Sequence, residues 1–169
     1  HVLNLNNYSI KTDSNSQSDY GLITVLGGSL EIKGDGEVSA PNVVLSLITG
    51  NMTINGGTYI SGDENYADIV IMTYSGKLTI NKVYFTGNNA IDISGKDTSL
   101  DINDGEITGT DTGLMINTLY GDPSVQLSGG TYTCTECGDD ITSFGAITLG
   151  VYAEQKDTKE LLKNMRRLV

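Results

Sequence analysis

One short phrase recurs along this chain and limits what it can fold into. Its fullest form is Gly50-Asn-Met-Thr-Ile-Asn-Gly-Gly-Thr-Tyr-Ile-Ser-Gly62. Two apolar residues flank one polar residue (Met52, Ile54), a polar turn residue follows (Asn55), then two glycines and an aromatic (Tyr59). Leu78-Thr-Ile-Asn81 leads in the same way to Phe85, Leu100-Asp-Ile-Asn103 to Ile107, and Val125-Gln-Leu-Ser128 to Tyr132. Upstream the phrase persists as Leu30-Glu-Ile-Lys33 and, more faintly, Leu3-Asn-Leu-Asn6. The starts Leu3, Leu30, Met52, Leu78, Leu100 and Val125 are 22 to 27 residues apart. A fixed period of this length is the mark of a stacked-repeat architecture.

A second register advances with the first. The apolar pairs Ile23/Val25, Leu45/Leu47, Ile69/Ile71, Ile91/Ile93, Leu114/Ile116 and Ile147/Leu149 each follow one phrase. A third position, seven residues after the phrase start, holds Ile10, Tyr59, Phe85, Ile107 and Tyr132; in the second unit Glu37 falls there, with Val38 one further on. Each segment alternates apolar and polar, the pattern of a strand with one face in and one face out. No intervening stretch has a helical period, which excludes an α/β sheet with crossover helices. A β-sandwich is the other all-β option, but it does not demand six matched units. The predicted fold is a solenoid of about three strands per coil, with coils stacked at roughly 4.8 Å. Leu, Ile and Val then fill the interior, and Asn6, Asn55, Asn81 and Asn103 stack at one corner, where Asn tolerates a left-handed backbone.

The LTIN…GGTY…G units resemble the right-handed parallel β-helix of the pectate-lyase-like superfamily. In particular they resemble the repeat-built β-helices of secreted and cell-wall proteins of bacteria. The resemblance covers about residues 2–152. It implies an all-β, right-handed parallel β-helix of about six coils over residues 1–153, with residues 154–169 as a C-terminal helical cap or linker. That last segment carries Asp157-x-x-Glu160, the form of a capping box, ahead of Leu161, Leu162, Met165, Leu168 and Val169 at helical spacing. A short α-helix there would cover apolar core and strand edges at the open end of the solenoid.

Charge narrows the partners. Residues 1–153 contain five Lys, no Arg and 18 Asp+Glu, a net −13, whereas 154–169 is net +2 and the whole chain −11. A body this acidic repels nucleic acid and anionic membrane, which need clustered Lys and Arg. No run is long enough to span a bilayer, so membrane insertion is not expected. The chain starts at His1 rather than Met, which suggests a mature or excised piece of something longer.

The irregular segments hold the candidate functional residues. Long excursions occur at Lys11–Asp19 and Thr133–Phe144, and a smaller one at Gly62–Asp68. Insertions gathered on one face of a repeat protein often form its binding face. They place Asp63, Glu64, Tyr66, Asp68, Glu136, Asp139 and Asp140 as candidate ligand-binding residues. Tyr20, Tyr66, Tyr74 and Tyr120 lie outside the core register, and exposed rings beside carboxylates suit a sugar-binding surface. No cofactor is expected other than calcium, for which Asp63, Glu64 and Asp68, or Glu136, Asp139 and Asp140, could supply oxygens. Cys134-Thr-Glu-Cys137 is a disulfide candidate: a zinc site needs two further ligands, and a thioredoxin-like site needs a strand-to-helix setting.

Catalytic sets are sparse. Asp139-Asp140 after Gly138 resembles the paired aspartates of polygalacturonases, but that family's Asn-Thr-Asp, Gly-His and Arg-Ile-Lys motifs do not occur. The lyase branch uses Arg or Lys as base, and the body has no Arg. Asp111-Thr-Gly113 matches the aspartic-protease triplet, but it lies where the repeat expects a turn and has no second copy. The expected function is a non-enzymatic extracellular adhesion or carbohydrate-binding module of a larger bacterial surface protein, with a carbohydrate or host-surface ligand. The alternatives are a polysaccharide hydrolase or lyase acting around Asp139/Asp140, and a passive structural stalk.

Overall fold

A computed structural model describes residues 1–13, 20–62, 69–136 and, for the backbone, 141–143. Among these, twelve strands follow one another: β1 (Val2–Asn4), β2 (Ser9–Lys11), β3 (Ile23–Lys33), β4 (Glu37–Ala40), β5 (Leu45–Ser61), β6 (Ile69–Thr73), β7 (Gly76–Ser94), β8 (Thr98–Ile102), β9 (Glu106–Asn117), β10 (Ser124–Leu127), β11 (Thr131–Cys134) and β12 (Ile141–Ser143). The long strands bend around corners, so β3, β5, β7 and β9 each contribute to more than one face. Every pairing is parallel.

The pairings resolve into three ladders. The first face stacks β1, the end of β3, the middle of β5, the start of β7, β8 and β10. The second stacks β2, β4, the end of β5, the middle of β7, the start of β9 and β11. The third stacks the start of β3, the start of β5, β6, the end of β7, the end of β9 and β12. This is the expected all-β parallel solenoid; its six first-face strands span about five turns, slightly fewer than the six coils expected. The expected C-terminal helix at 154–169 lies outside the described residues, which contain no helix.

Like residues stack on like inside. Met52, Leu78, Leu100 and Val125 form one column, and Ile32, Ile54, Ile80, Ile102 and Leu127 the next. Ile10, Val38, Tyr59, Phe85, Ile107 and Tyr132 form the column of the second face, with Val38 filling the second coil as the sequence suggests. Tyr59 meets Phe85 edge to face, ring centroids 5.1 Å apart at 83°, the geometry that aromatic quadrupoles favour. Burying one such side chain is worth about 1.5–3 kcal/mol, so these columns dominate stability.

The structure explains the Gly-Gly-Thr-Tyr phrase. Tyr59 Oη donates to the Gly56 carbonyl (3.0 Å) and Tyr132 Oη to the Gly129 carbonyl (3.1 Å). Each phenol thus returns to the corner that precedes it by three residues. At both corners the second glycine takes positive φ (Gly57 +97°, Gly130 +96°). In the coils that carry Phe85 and Ile107 instead, the glycine pair is missing.

Three details differ from the sequence reading. Leu3 pairs with Ile32 rather than Leu30. On the third face, Leu45 and Leu47 pair with Ile71 and Thr73, not with Ile69 and Ile71. The sixth strand of that face is Ile141–Ser143, not Ile147/Leu149. The first two arise because a period of two cannot register a slip of two residues, whereas the third is a displacement of six residues along the chain. At Thr73 a buried polar residue occupies an aliphatic position and hides the register. The Asn corner also forms for another reason. Asn103 donates to Asn81 (2.7 Å), Asn81 to Asn55 (2.5 Å) and Asn55 to Glu31 (2.8 Å), a side-chain ladder along the axis. Only Asn6 and Asn7 have positive φ among the described non-glycine residues, and Asn6 is not in the ladder.

The corner between third and first faces relies on glycine. Gly76 has φ +99°, and a Cβ there would collide with the carbonyl oxygen of Gly50 in the coil below. Gly76→Ala is therefore expected to lower unfolding free energy by more than about 1 kcal/mol in urea titrations. An unchanged midpoint would mean that this corner does not pack as described.

Candidate functional site

The residues singled out in the sequence do not assemble into one described site. Asp63, Glu64, Tyr66, Asp68, Cys137, Asp139 and Asp140 lie outside the described residues. Glu136 is exposed, and its backbone N–H donates to Thr110 O (3.0 Å). Cys134 is disulfide-bonded, with Sγ 3.1 Å from the carbonyl oxygens of Thr110 and Asp111. The loop tyrosines diverge. Tyr20 sits between the second and third faces, while Tyr74 and Tyr120 sit at the corner between third and first. Asp111-Thr-Gly113 lies within β9, between its second-face and third-face segments. Turned to donate, the Asn88 amide meets both Asp111 carboxylate oxygens, at 2.9 and 3.3 Å. Asp111 is thus a partner within the corner.

A concave site instead forms at the corner between first and second faces. A depression of about 140 Å³ is lined by Lys82, Val83 and Tyr84 of the fourth coil, Asp104, Gly105 and Glu106 of the fifth, and Thr131 of the sixth. Tyr84, Glu106 and Thr131 pair in register across β7, β9 and β11, so their side chains leave the second face in one column. Alternation puts Phe85, Ile107 and Tyr132 into the core, which turns their neighbours outward. Asp104 Oδ1 accepts from the Gly105 N–H (2.9 Å), and Gly105 O accepts from Thr131 N–H (2.8 Å), which fixes the floor. Burial pushes the Tyr132 phenol above its ordinary value, and the Asp104 charge pushes it further in the same direction.

The lining is chemically mixed. It offers one ammonium, two carboxylates, a hydroxyl and a half-exposed phenol ring, with Tyr84 45% exposed. The ladder residues Asn81 and Asn103 lie immediately before the two segments that form it. This arrangement can donate to, accept from and stack on a ligand. Sequence reasoning missed it because each contributor is ordinary within its own repeat. The signal lies in the column, since Thr58, Tyr84, Glu106 and Thr131 occupy equivalent positions in successive units.

A different feature lies on the outside of the third face. There Met72, Asp92 and Met115 stack in register across β6, β7 and β9, between the buried inward positions. Asp92 is half-buried, and its Oδ1 is shielded from solvent without a hydrogen-bond partner. Burial raises its carboxyl above the usual carboxylate value.

A metal cage is not visible among the described residues. His1, the chain's single histidine, is exposed, and its α-amino group donates to Ser29 O (2.8 Å). No three or more His, Cys, Asp or Glu side chains converge there as metal ligands, and no described helix is long and apolar enough to cross a membrane. Comparison with protein-family models, curated proteins and solved structures finds no match for this chain.

Asp92 gives a pH-dependent expectation. A carboxyl that binds its proton more tightly in the folded than in the unfolded chain loses stability as pH rises above the ordinary carboxylate value. Asp92→Asn removes that loss. The variant is expected to unfold at higher urea than the parent at neutral pH, with the gap closing on acidification through the carboxylate range. A less stable variant at neutral pH would mean that the ionised carboxylate has a stabilising partner.

Proposed function

We propose that this chain is a non-enzymatic recognition module, an adhesion or carbohydrate-binding β-solenoid that acts outside the cell or at its surface. The observation that carries the reading is the depression around Tyr84, in which a ring, two carboxylates, an ammonium and a hydroxyl converge on one concave patch. Sugars are bound by such combinations, with apolar ring faces on aromatic side chains and hydroxyls on fixed polar groups. The acidic body favours a neutral or cationic glycan over an anionic one. Kinship with the pectate-lyase-like superfamily, a bacterial source and a place in a larger surface protein belong to the same proposal. So does a right-handed winding, the hand that parallel crossovers adopt.

The loop residues Asp63, Glu64, Tyr66, Asp68, Glu136, Asp139 and Asp140 are proposed as a second edge of the ligand surface, where calcium is the cation that their oxygens suit. The disulfide is proposed to join Cys134 to Cys137 and stiffen that edge.

A glycan array probed with the parent chain and with Tyr84→Ala, each with and without calcium, checks the reading. Retention of a neutral or amino-sugar glycan by the parent is expected. Loss of the ring should weaken it roughly tenfold, about 1.4 kcal/mol, with no cleavage product. A blank array would leave the passive stalk as the better account. A cleaved glycan would favour hydrolase or lyase chemistry.

A further inference from the structure

We propose that Met72, Asp92 and Met115 form a binding site for a soft monovalent cation of the Cu(I) type on the outer surface of the third face. The register places the three side chains consecutively, Met72 opposite Asp92 and Asp92 opposite Met115, all pointing away from the core. Adjacent strands are about 4.8 Å apart, so the two methionine backbones lie roughly 10 Å from one another with the carboxylate between them. A methionine side chain is unbranched and has three rotatable bonds. Both sulfurs can therefore lean over Asp92 from opposite sides.

The chemistry matches one class of ligand. Two thioethers select a soft cation, whereas calcium and magnesium require more oxygens than a lone carboxylate supplies. The carboxylate provides the one charge needed to neutralise a monovalent ion. Asp92 is the part of the surface that lacks a partner: its Oδ1 is shielded from water and makes no hydrogen bond. A half-buried anion in that condition is costly, and a bound cation offsets the cost. The sulfur of Met72 is already on the outer surface, where it accepts a hydrogen bond from Tyr74 Oη (3.2 Å). That bond uses one lone pair and leaves the other for a metal. By contrast Met52 is fully buried in the first-face column and has no access to solvent. This site is separate from the depression around Tyr84 and stands whether or not that depression binds sugar.

The experiment is NMR of methyl-labelled methionine during titration with Ag(I), a redox-inert stand-in for Cu(I). The chain has four methionines, so each methyl resonance can be assigned by substitution. It is run on the parent protein with its disulfide intact and on Cys134→Ser/Cys137→Ser, which removes sulfur competitors other than thioether. The Met72 and Met115 methyls are expected to shift together and saturate at one equivalent, while Met52 stays in place. Zn(II) and Ca(II) should leave all four unmoved. Met72→Leu/Met115→Leu, which keeps volume and apolarity, should abolish uptake, and Asp92→Asn should abolish saturation at one equivalent without unfolding the chain. Shifts confined to another methionine, or uptake unchanged in the double leucine variant, would overturn the proposal.

Discussion

The structure depends on one constraint: every strand hydrogen-bonds in parallel to the equivalent strand of the coil above and below. Parallel, in-register stacking puts each residue on the same position of the neighbouring unit. Inward positions are then apolar in nearly every coil, with Thr73 a buried polar exception. The corner backbone is less strict: it takes positive φ at Gly57 and Gly130 but not at Lys82 or Val83. The repeated phrase is the sequence form of that requirement. Its apolar pair supplies the first-face columns, its glycines turn the corner, and its aromatic fills the second-face column and ties back to the first glycine through its phenol.

The relative sizes of the interactions follow. Interior columns such as Ile54–Ile80–Ile102 are fully buried and each member contributes on the order of 1.5–3 kcal/mol. The Asn55–Asn81–Asn103 ladder is exposed, and a net hydrogen bond is worth about 0.5–1.5 kcal/mol even where water does not compete strongly. The surface pairs Lys11–Glu37 and Lys77–Asp101, both 2.6 Å, contribute less still. The amide ladder therefore selects register at its corner, while apolar burial holds the coils together.

The architecture was legible because columns repeat, and the finer register was not because they repeat imperfectly. Thr73 stands among Leu47 and Ile93 in an otherwise aliphatic column, so a hydropathy pattern shifts onto Ile69 and Ile71. Leu3 and Leu30 look equivalent, yet pairing joins Leu3 to Ile32. The candidate site was harder to read. Lys82, Tyr84, Asp104, Glu106 and Thr131 come from three coils, and no two lie in one recognisable motif. They meet because their inward neighbours Val83, Phe85, Ile107 and Tyr132 are pinned in the core. Met72, Asp92 and Met115 come together by the same logic. Function here is written across the repeats, perpendicular to the direction in which a sequence is read.

The most direct test of in-register stacking is a pair of engineered cross-links on the first face, made in the Cys134→Ser/Cys137→Ser background. Thr53 and Thr79 are opposite one another, with Cα atoms about 4.8 Å apart, inside the range that a disulfide spans. A two-residue slip to Lys77 lengthens that separation to about 8 Å, beyond disulfide reach. Thr53→Cys/Thr79→Cys is expected to oxidise to a single cross-linked species with the fold intact, whereas Thr53→Cys/Lys77→Cys stays reduced under the same conditions. Equal or preferential cross-linking of the slipped pair would contradict the register on which the columns, the corner and both sites depend.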